Sequence, residues 1–193
     1  MADGHAPLLA YHQDRVNRSR RRLLGKVPRL DLSALLAAAD APARGVFKWR
    51  VEYGKTVAAQ SFIPYEIKSV TSLQLVETTD LDYSHKYTDR AAIRRYFDAR
   101  GAADDVLMTQ HGYLTDASYA NVALYDGKRW FTPAWPLLRG TRRQALLDRG
   151  VIQPSLIRAR DLGAFRSVRL INAMMVWDES PTVDIARVAP PAS

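Results

Sequence analysis

The stretch LTDASYANVALYDGKRWFTP, residues 114–133, decides the fold. Within it, NVALY and RWFTP are apolar, β-prone runs on either side of Asp126-Gly127, the strongest short-range hairpin signal in the chain. Upstream, DVLMTQHGYLTD (105–116) predicts another hairpin, turning at His111-Gly112. Asp116, Ser118 and Asn121 lie between the two hairpins. Taken alone, this trio is an Asx-turn cluster whose side chains satisfy loop backbone. A carboxylate there gains a function where it meets a protonated ring nitrogen, because the charge-assisted bond is strong. Both readings are open at this point.

Working outward, residues 8–24 predict a helix, with Leu8, Leu9, Val16, Leu23 and Leu24 as its apolar positions and Gly25 as its stop. LDLSALLAAAD (30–40) predicts a second helix capped by Asp31 or Ser33. VFKWRVEYG (46–54) alternates as a strand does, AAQSFIPYEIKS is a weaker strand broken by Pro64, and SVTSLQLVETTDL (69–81) is rich in β-branched residues. TDRAAIRRYFDAR (88–100) predicts a helix with a Thr88 cap and a Gly101 stop, and GTRRQALLDRG (140–150) one that stops at Gly150. PSLIRARDLGAF predicts a short helix, SVRLINAMMVW (167–177) a buried strand, and RVAPPAS a frayed tail. Antiparallel hairpins with a few helices make the chain α+β. A hinge near Pro64–Lys68 would separate a small lobe, 1–66, from a larger one, 67–193.

The 193 residues suffice for a sizeable core, and 47% hydrophobic with 25% charged residues is ordinary for a globular protein. The absence of cysteine excludes disulfides, thiolate metal sites and cysteine nucleophiles, and no metal site is expected. The start, MADGHAPLLAYHQDR, has no basic segment followed by a long apolar one, and no run is long enough to span a bilayer. The expectation is a cytoplasmic protein without membrane association. Net charge is +8, with 22 Arg and 6 Lys, densest in RVNRSRRRLLGK (15–26). That run is a solvated helix face, with one or two arginines available to a phosphate or carboxylate. Without aromatic interleaving or a zinc spacing, nucleic acid is not the expected partner.

LLRGTRRQALL puts Gly140 and Thr141 at a helix N-terminus, where free N–H groups and the macrodipole favour an anion. Gly140 would let a phosphate approach the backbone, and Arg142 and Arg143 add charge. Read alone, the segment is simply a helix start.

Taken together, GYLTDASYANVALYDGKRWFTPAWPLLRGTRRQALLDRGVI followed by VRLINAMM resembles the second half of class IV aminotransferases, the fold type IV pyridoxal-phosphate enzymes. Five elements recur in order: acidic-x-Ser-x-x-Asn, Asp-Gly, Thr-Pro, a Gly-Thr helix start, and a strand ending in Asn-Ala. The resemblance covers residues 83–178 closely and 8–24 loosely. It implies a two-lobed α+β fold of antiparallel or mixed sheets flanked by helices. The implied assembly is a homodimer that binds pyridoxal 5'-phosphate and a small-molecule amino substrate. Because the His-x-x-Arg helix begins almost at Met1, the small lobe is expected to be abbreviated.

The family needs one Schiff-base lysine. Of Lys26, Lys48, Lys55, Lys68, Lys86 and Lys128, only Lys86 lies one helix and one strand ahead of the acidic motif, as in the family. The resemblance makes Lys86 catalytic and gives Asp116, which replaces the family's Glu and is one methylene shorter, to the pyridine nitrogen. It makes Arg15, with His12 on the same helical face, the grip on the phosphate. Gly140, Thr141 and Arg142 complete the phosphate cup, and Asn172 and Ala173 line it. Ser118 and Asn121 belong to the same cofactor-binding set, and Tyr87 or Tyr119 would close the pocket. The implied activity is transamination, with elimination of the 4-amino-4-deoxychorismate lyase type as the alternative. A non-catalytic descendant of the fold and a basic nucleic-acid-binding protein are the remaining readings.

Overall fold

The computed structural model describes residues 1–191, and the chain divides into two units, Met1–Glu66 and Ile67–Ser193.

In the first unit, α1 spans Leu9–Leu24 and ends where Gly25 takes φ 69°. The basic run is not uniformly solvated. Arg20 is buried, and its guanidinium donates to the carbonyls of Pro28 (2.7 Å), Lys55 (2.7 Å) and Gly54 (3.1 Å). Buried charge of this kind is tolerated only when its donors are met. α2 (Leu32–Ala37) is capped by Asp31, whose carboxylate accepts from the Ser33 and Ala34 amides. Gln13 of α1 brackets its start, donating to the Leu30 carbonyl and accepting from the Leu32 amide, both at 2.7 Å. β1 (Phe47–Tyr53) and β2 (Val57–Pro64) form an antiparallel pair with Trp49 stacked on Phe62.

The second unit is built on a nine-stranded mixed sheet. Its strands are β3 (Leu73–Thr78), β4 (Asp105–Gln110), β5 (Tyr113–Ala117), β6 (Asn121–Tyr125), β7 (Trp130–Pro133), β8 (Gln153–Ser155), β9 (Ser167–Ile171), β10 (Thr182–Asp184) and β11 (Val188–Ala189). The order is β10-β9-β6-β5-β4-β3-β11, with β7 also bonded to β6 and β8 to β7. The β11–β3, β3–β4 and β7–β8 pairs are parallel, the others antiparallel. α3 (Ala91–Asp98) and α4 (Thr141–Asp148) accompany it. β4 is apolar on both sides because both are covered. Leu107 joins Leu73, Leu114, Val122, Leu124, Val168 and Leu170, while Val106 and Met108 join Ile93 of α3, Leu81, Tyr83 and Leu137. α4 adds Leu146 against Ala123, Ile152 and Ile171.

The expected turn at His111-Gly112 is present, and several other local expectations are corrected. His111 and Gly112 take φ 53° and 74°, as a two-residue hairpin turn requires. The Asp126-Gly127 loop instead has four residues, because the Asp126 carboxylate accepts from the Lys128 and Arg129 amides and organises it. Arg90, not Thr88, occupies the N-cap of α3, and Asp89 takes the Ala91 amide. In place of one short helix after Gln153 there is β8 and then a 3-10 helix, Ala159–Ala164. β9 stops at Ile171 because Asn172 accepts the Met174 amide at 2.8 Å and turns the chain. The tail is not frayed through Pro190: β11 extends the sheet beside β3, and Gln74 donates to the Pro190 carbonyl. The end of that predicted tail, residues 192–193, lies outside the described residues.

Candidate active site

Asp116 sits at the end of β5, 5% exposed and paired across the ladder with Asn121 of β6. The connection is a tight Ser118-Tyr119 turn closed by the Ala117 amide on the Ala120 carbonyl. Asp116 does not cap that turn. Its Oδ2 accepts from the Leu138 amide at 2.8 Å, and its Oδ1 from the Asn121 side-chain amide at 2.6 Å. Burial raises its pKa to about 6, opposed by the Leu138 N–H, the Asn121 amide and the charges of Arg143 and Lys86. A proton or a cation at this carboxylate would relieve that cost.

Asn121 also donates to the Leu138 carbonyl at 2.7 Å, so its two amide hydrogens bridge the carboxylate and the segment leading into α4. Its Oδ1 lies 2.0 Å from where a side-chain carbon on residue 140 would stand. Gly140 is therefore required by Asn121, a reason the sequence did not suggest. The structure brings Asp116, Asn121 and Gly140 together, and the β6–β9 register pairs Asn121 with Ile171, one residue before Asn172 and Ala173.

α4 begins at the buried Thr141 with no side-chain cap and no acid in its first turn. Its two arginines differ. Arg143, 6% exposed, donates to the Thr132 hydroxyl (3.2 Å) and the Pro133 carbonyl (2.7 Å), stapling α4 to the Thr-Pro end of β7. Half-buried Arg142 has an Nε with no hydrogen-bond partner among the described residues, and burial, with Arg149 nearby, lowers its pKa. A phosphate or carboxylate suits that end.

Lys86 is exposed, in an irregular segment between β3 and α3, with Nζ 5.9 Å from the Tyr83 ring centroid. Its charge reaches Asp116, whose pKa it helps to hold down. The neighbouring Tyr87 is exposed, and its carbonyl accepts from Tyr83. Tyr119 is half-buried in the turn beyond Asp116. Ser118 faces other partners: its carbonyl accepts from Arg90 at 2.6 Å, and its amide and hydroxyl go to Asp105. Arg15 lies in the other unit, on α1, 3.2 Å from the His12 ring. A cleft of about 300 Å³ opens beside Tyr83, Ser84, Thr115 and Trp135, but Asp116 does not line it.

Sequence reasoning did not single out the Leu138 amide, Arg90 or Asp105. A backbone N–H has no sequence signature, and Arg90 is one arginine among many. Asp105 did carry a signal, an acid opening the apolar run VLMT, and it is 1% exposed. Among the described residues no His, Cys, Asp and Glu group forms a metal site, and no helix is long and apolar enough to cross a membrane.

Comparison with known proteins shows the family and the fold. A family model described as amino-transferase class IV matches residues 1–178. A protein of Haemophilus influenzae, described only as uncharacterized, is 35% identical over 165 residues, 84% of this chain and 88% of that one. A crystal structure from Haemophilus somnus 129pt, provisionally named a 4-amino-4-deoxychorismate lyase, superposes with TM-score 0.84 at 29% identity, covering 90% of this chain and 92% of that one. The pyridoxal-phosphate-bound form of a hypothetical aminotransferase from Mycobacterium tuberculosis shares the fold, with TM-score 0.73 and 21% identity over 99% of this chain and 81% of that one.

Proposed function

The chain belongs to the class IV aminotransferases, and from that premise we propose that it is a pyridoxal-phosphate-dependent enzyme acting at the amine-bearing carbon of a small amino substrate, with Lys86 holding the cofactor. The observation that carries the reading is Asp116, a buried carboxylate with a raised pKa and the Lys86 charge within its reach.

The residues present fit the cofactor. The two bonds Asp116 accepts occupy only part of a carboxylate's capacity of about four lone-pair sites. A protonated ring nitrogen would supply the cation that its burial calls for. The uncapped start of α4 and the unpartnered Nε of Arg142 suit the phosphate. When bound, pyridoxal phosphate supplies an electron sink for the bond broken at the amine-bearing carbon.

This chain's own residues do the rest. Asp116 would keep the ring nitrogen protonated, and the Leu138 amide and Asn121 fix the direction of its oxygens. Arg143 holds α4 to the Thr-Pro end of β7. Lys86 would hold the cofactor, and its amine, when free, would serve as the base that carries the proton of the substrate's amine-bearing carbon.

The leading outcome is transfer of the amino group, the activity after which the family is named. Elimination is the second reading, favoured by the provisional name of the Haemophilus somnus structure. The same reading makes the enzyme a cytoplasmic homodimer. The test loads the protein with pyridoxal phosphate and adds a panel of amino acids and an aminodeoxychorismate analogue. Conversion of the cofactor to pyridoxamine phosphate means transfer. Release of a 2-oxo acid with the cofactor unchanged means elimination. A protein that takes up no cofactor refutes both.

A further inference from the structure

The segment that carries Lys86 is irregular and exposed, yet a reacting amine must be held in one place to be useful. A side-chain bond ties the far end of that segment to the turn that follows Asp116. Arg90, four residues beyond Lys86, donates from its guanidinium to the Ser118 carbonyl at 2.6 Å. Ser118 is two residues beyond Asp116. It is itself held from below: its amide donates at 3.4 Å to Oδ1 of Asp105, and its hydroxyl bonds the same carboxylate. Asp105 opens β4, is 1% exposed and uses Oδ1 also for the Val106 amide at 2.7 Å. Its Oδ2 has no hydrogen-bond partner among the described residues. A carboxylate so deeply buried and only half used is costly to keep, and no step of the proposed chemistry employs it.

We propose that Asp105 and Arg90 are positioning residues: Asp105 fixes the Ser118-Tyr119 turn, the Ser118 carbonyl fixes Arg90, and Arg90 fixes the Lys86 segment relative to Asp116. Neither residue touches the reacting atoms. The purpose assigned to the clasp rests on the Lys86 reading above, whereas its existence as a mechanical link does not. Burial raises the Asp105 pKa, opposed first by the Ser118 hydroxyl and last by the charge of Arg100, consistent with a carboxylate kept for the bonds it accepts.

The test is hydrogen–deuterium exchange on the cofactor-free chain, followed by peptide. Arg90→Ala is expected to speed exchange over residues 84–92 about tenfold while β4 and β6 stay as protected as in the parent. Arg90→Lys, which keeps a cation of similar reach, is expected to restore most of that protection. Asp105→Asn is expected to loosen both 117–120 and 84–92. Exchange over 84–92 unchanged in Arg90→Ala, or loosening in Asp105→Asn confined to 117–120, overturns the proposal. Arg90 is exposed, so its variants fold even where Asp105→Asn does not. In the loaded protein, Arg90→Ala is expected to lower the yield of borohydride-fixed cofactor at Lys86 with an unchanged thermal midpoint, and Arg90→Lys to recover it. A parent protein that binds no pyridoxal phosphate would refute the functional reading and leave the exchange result standing.

Discussion

Replacing Gly140 with alanine tests the contact on which the site is built. Gly140 has φ −69° and ψ 147°, open to any residue, so the substitution adds no backbone strain. The added carbon would stand 2.0 Å from Oδ1 of Asn121 and 3.2 Å from its Cγ. Ordinary contact begins near 3.4 Å, so the Asn121 amide must retreat by about 1.4 Å, the difference of those two distances. Its bonds to Asp116 (2.6 Å) and to the Leu138 carbonyl (2.7 Å) do not survive such a shift. A bond to a carboxylate contributes about 1.5–3 kcal/mol and a neutral one about 1, so Gly140→Ala should cost about 2.5–4 kcal/mol. Asn121→Ala loses the same two bonds and should cost about as much. With Asn121 already gone, the new methyl enters vacated space, so the double variant should cost little more than Asn121→Ala alone. The assay is urea unfolding of the four proteins, followed by the fluorescence of Trp130 and Trp177 in the second unit. The expected result is a coupling of about 2–4 kcal/mol in the double-mutant cycle. Costs that add to within about 0.5 kcal/mol would mean that a side chain at residue 140 does not displace Asn121.

Three further outcomes follow from the same geometry. The folded pKa of Asp116, about 6, lies above its ordinary value of 3.8, so the folded state holds the proton more tightly than the unfolded chain. Its contribution is complete below about pH 4 and lost as pH rises through 6, about 3 kcal/mol in all. Asp116→Asn should therefore gain stability relative to the parent between pH 4 and pH 7, and a difference independent of pH in urea unfolding would contradict the burial argument. Arg143→Ala leaves the Thr132 hydroxyl and Pro133 carbonyl without their guanidinium and should cost about 2–4 kcal/mol, read as a fall of several degrees in thermal midpoint. An unchanged midpoint would mean that α4 is held by its apolar contacts alone. Gly112→Ala forces a side chain into φ 74° and should cost about 1–2 kcal/mol, checked by the same melt, where no change would contradict the strain argument.

The elements that sequence made legible are those whose partners lie close along the chain. α1 runs Leu9–Leu24 against an expected 8–24, and the turn at His111-Gly112 joins neighbouring strands. β8, β11 and the β3–β4 pairing were not legible, because parallel pairing joins distant segments whose composition says nothing of their neighbour. Where expected elements ended early, a side chain intervened: Asn172 turned the chain after β9, and Asp126 widened the β6–β7 loop. The site follows the same division. Asp116 and Asn121, five residues apart, face each other across one tight turn, and their spacing was visible. The Leu138 amide is 22 residues from Asp116, and Arg90 is 28 from Ser118, so only the folded chain reveals them. Gly140 was noticed for the space it offers an anion, and its nearest neighbour proved to be Asn121.

The proposed chemistry turns on one amine, that of Lys86. Incubating the protein with pyridoxal phosphate, reducing with borohydride and mapping the labelled peptide by mass spectrometry addresses it directly. A single stable adduct on Lys86 is expected, absent in Lys86→Ala and strongly reduced in Asp116→Ala. An adduct on Lys55 or Lys68, or none above the level of an unrelated lysine-bearing protein, would contradict it.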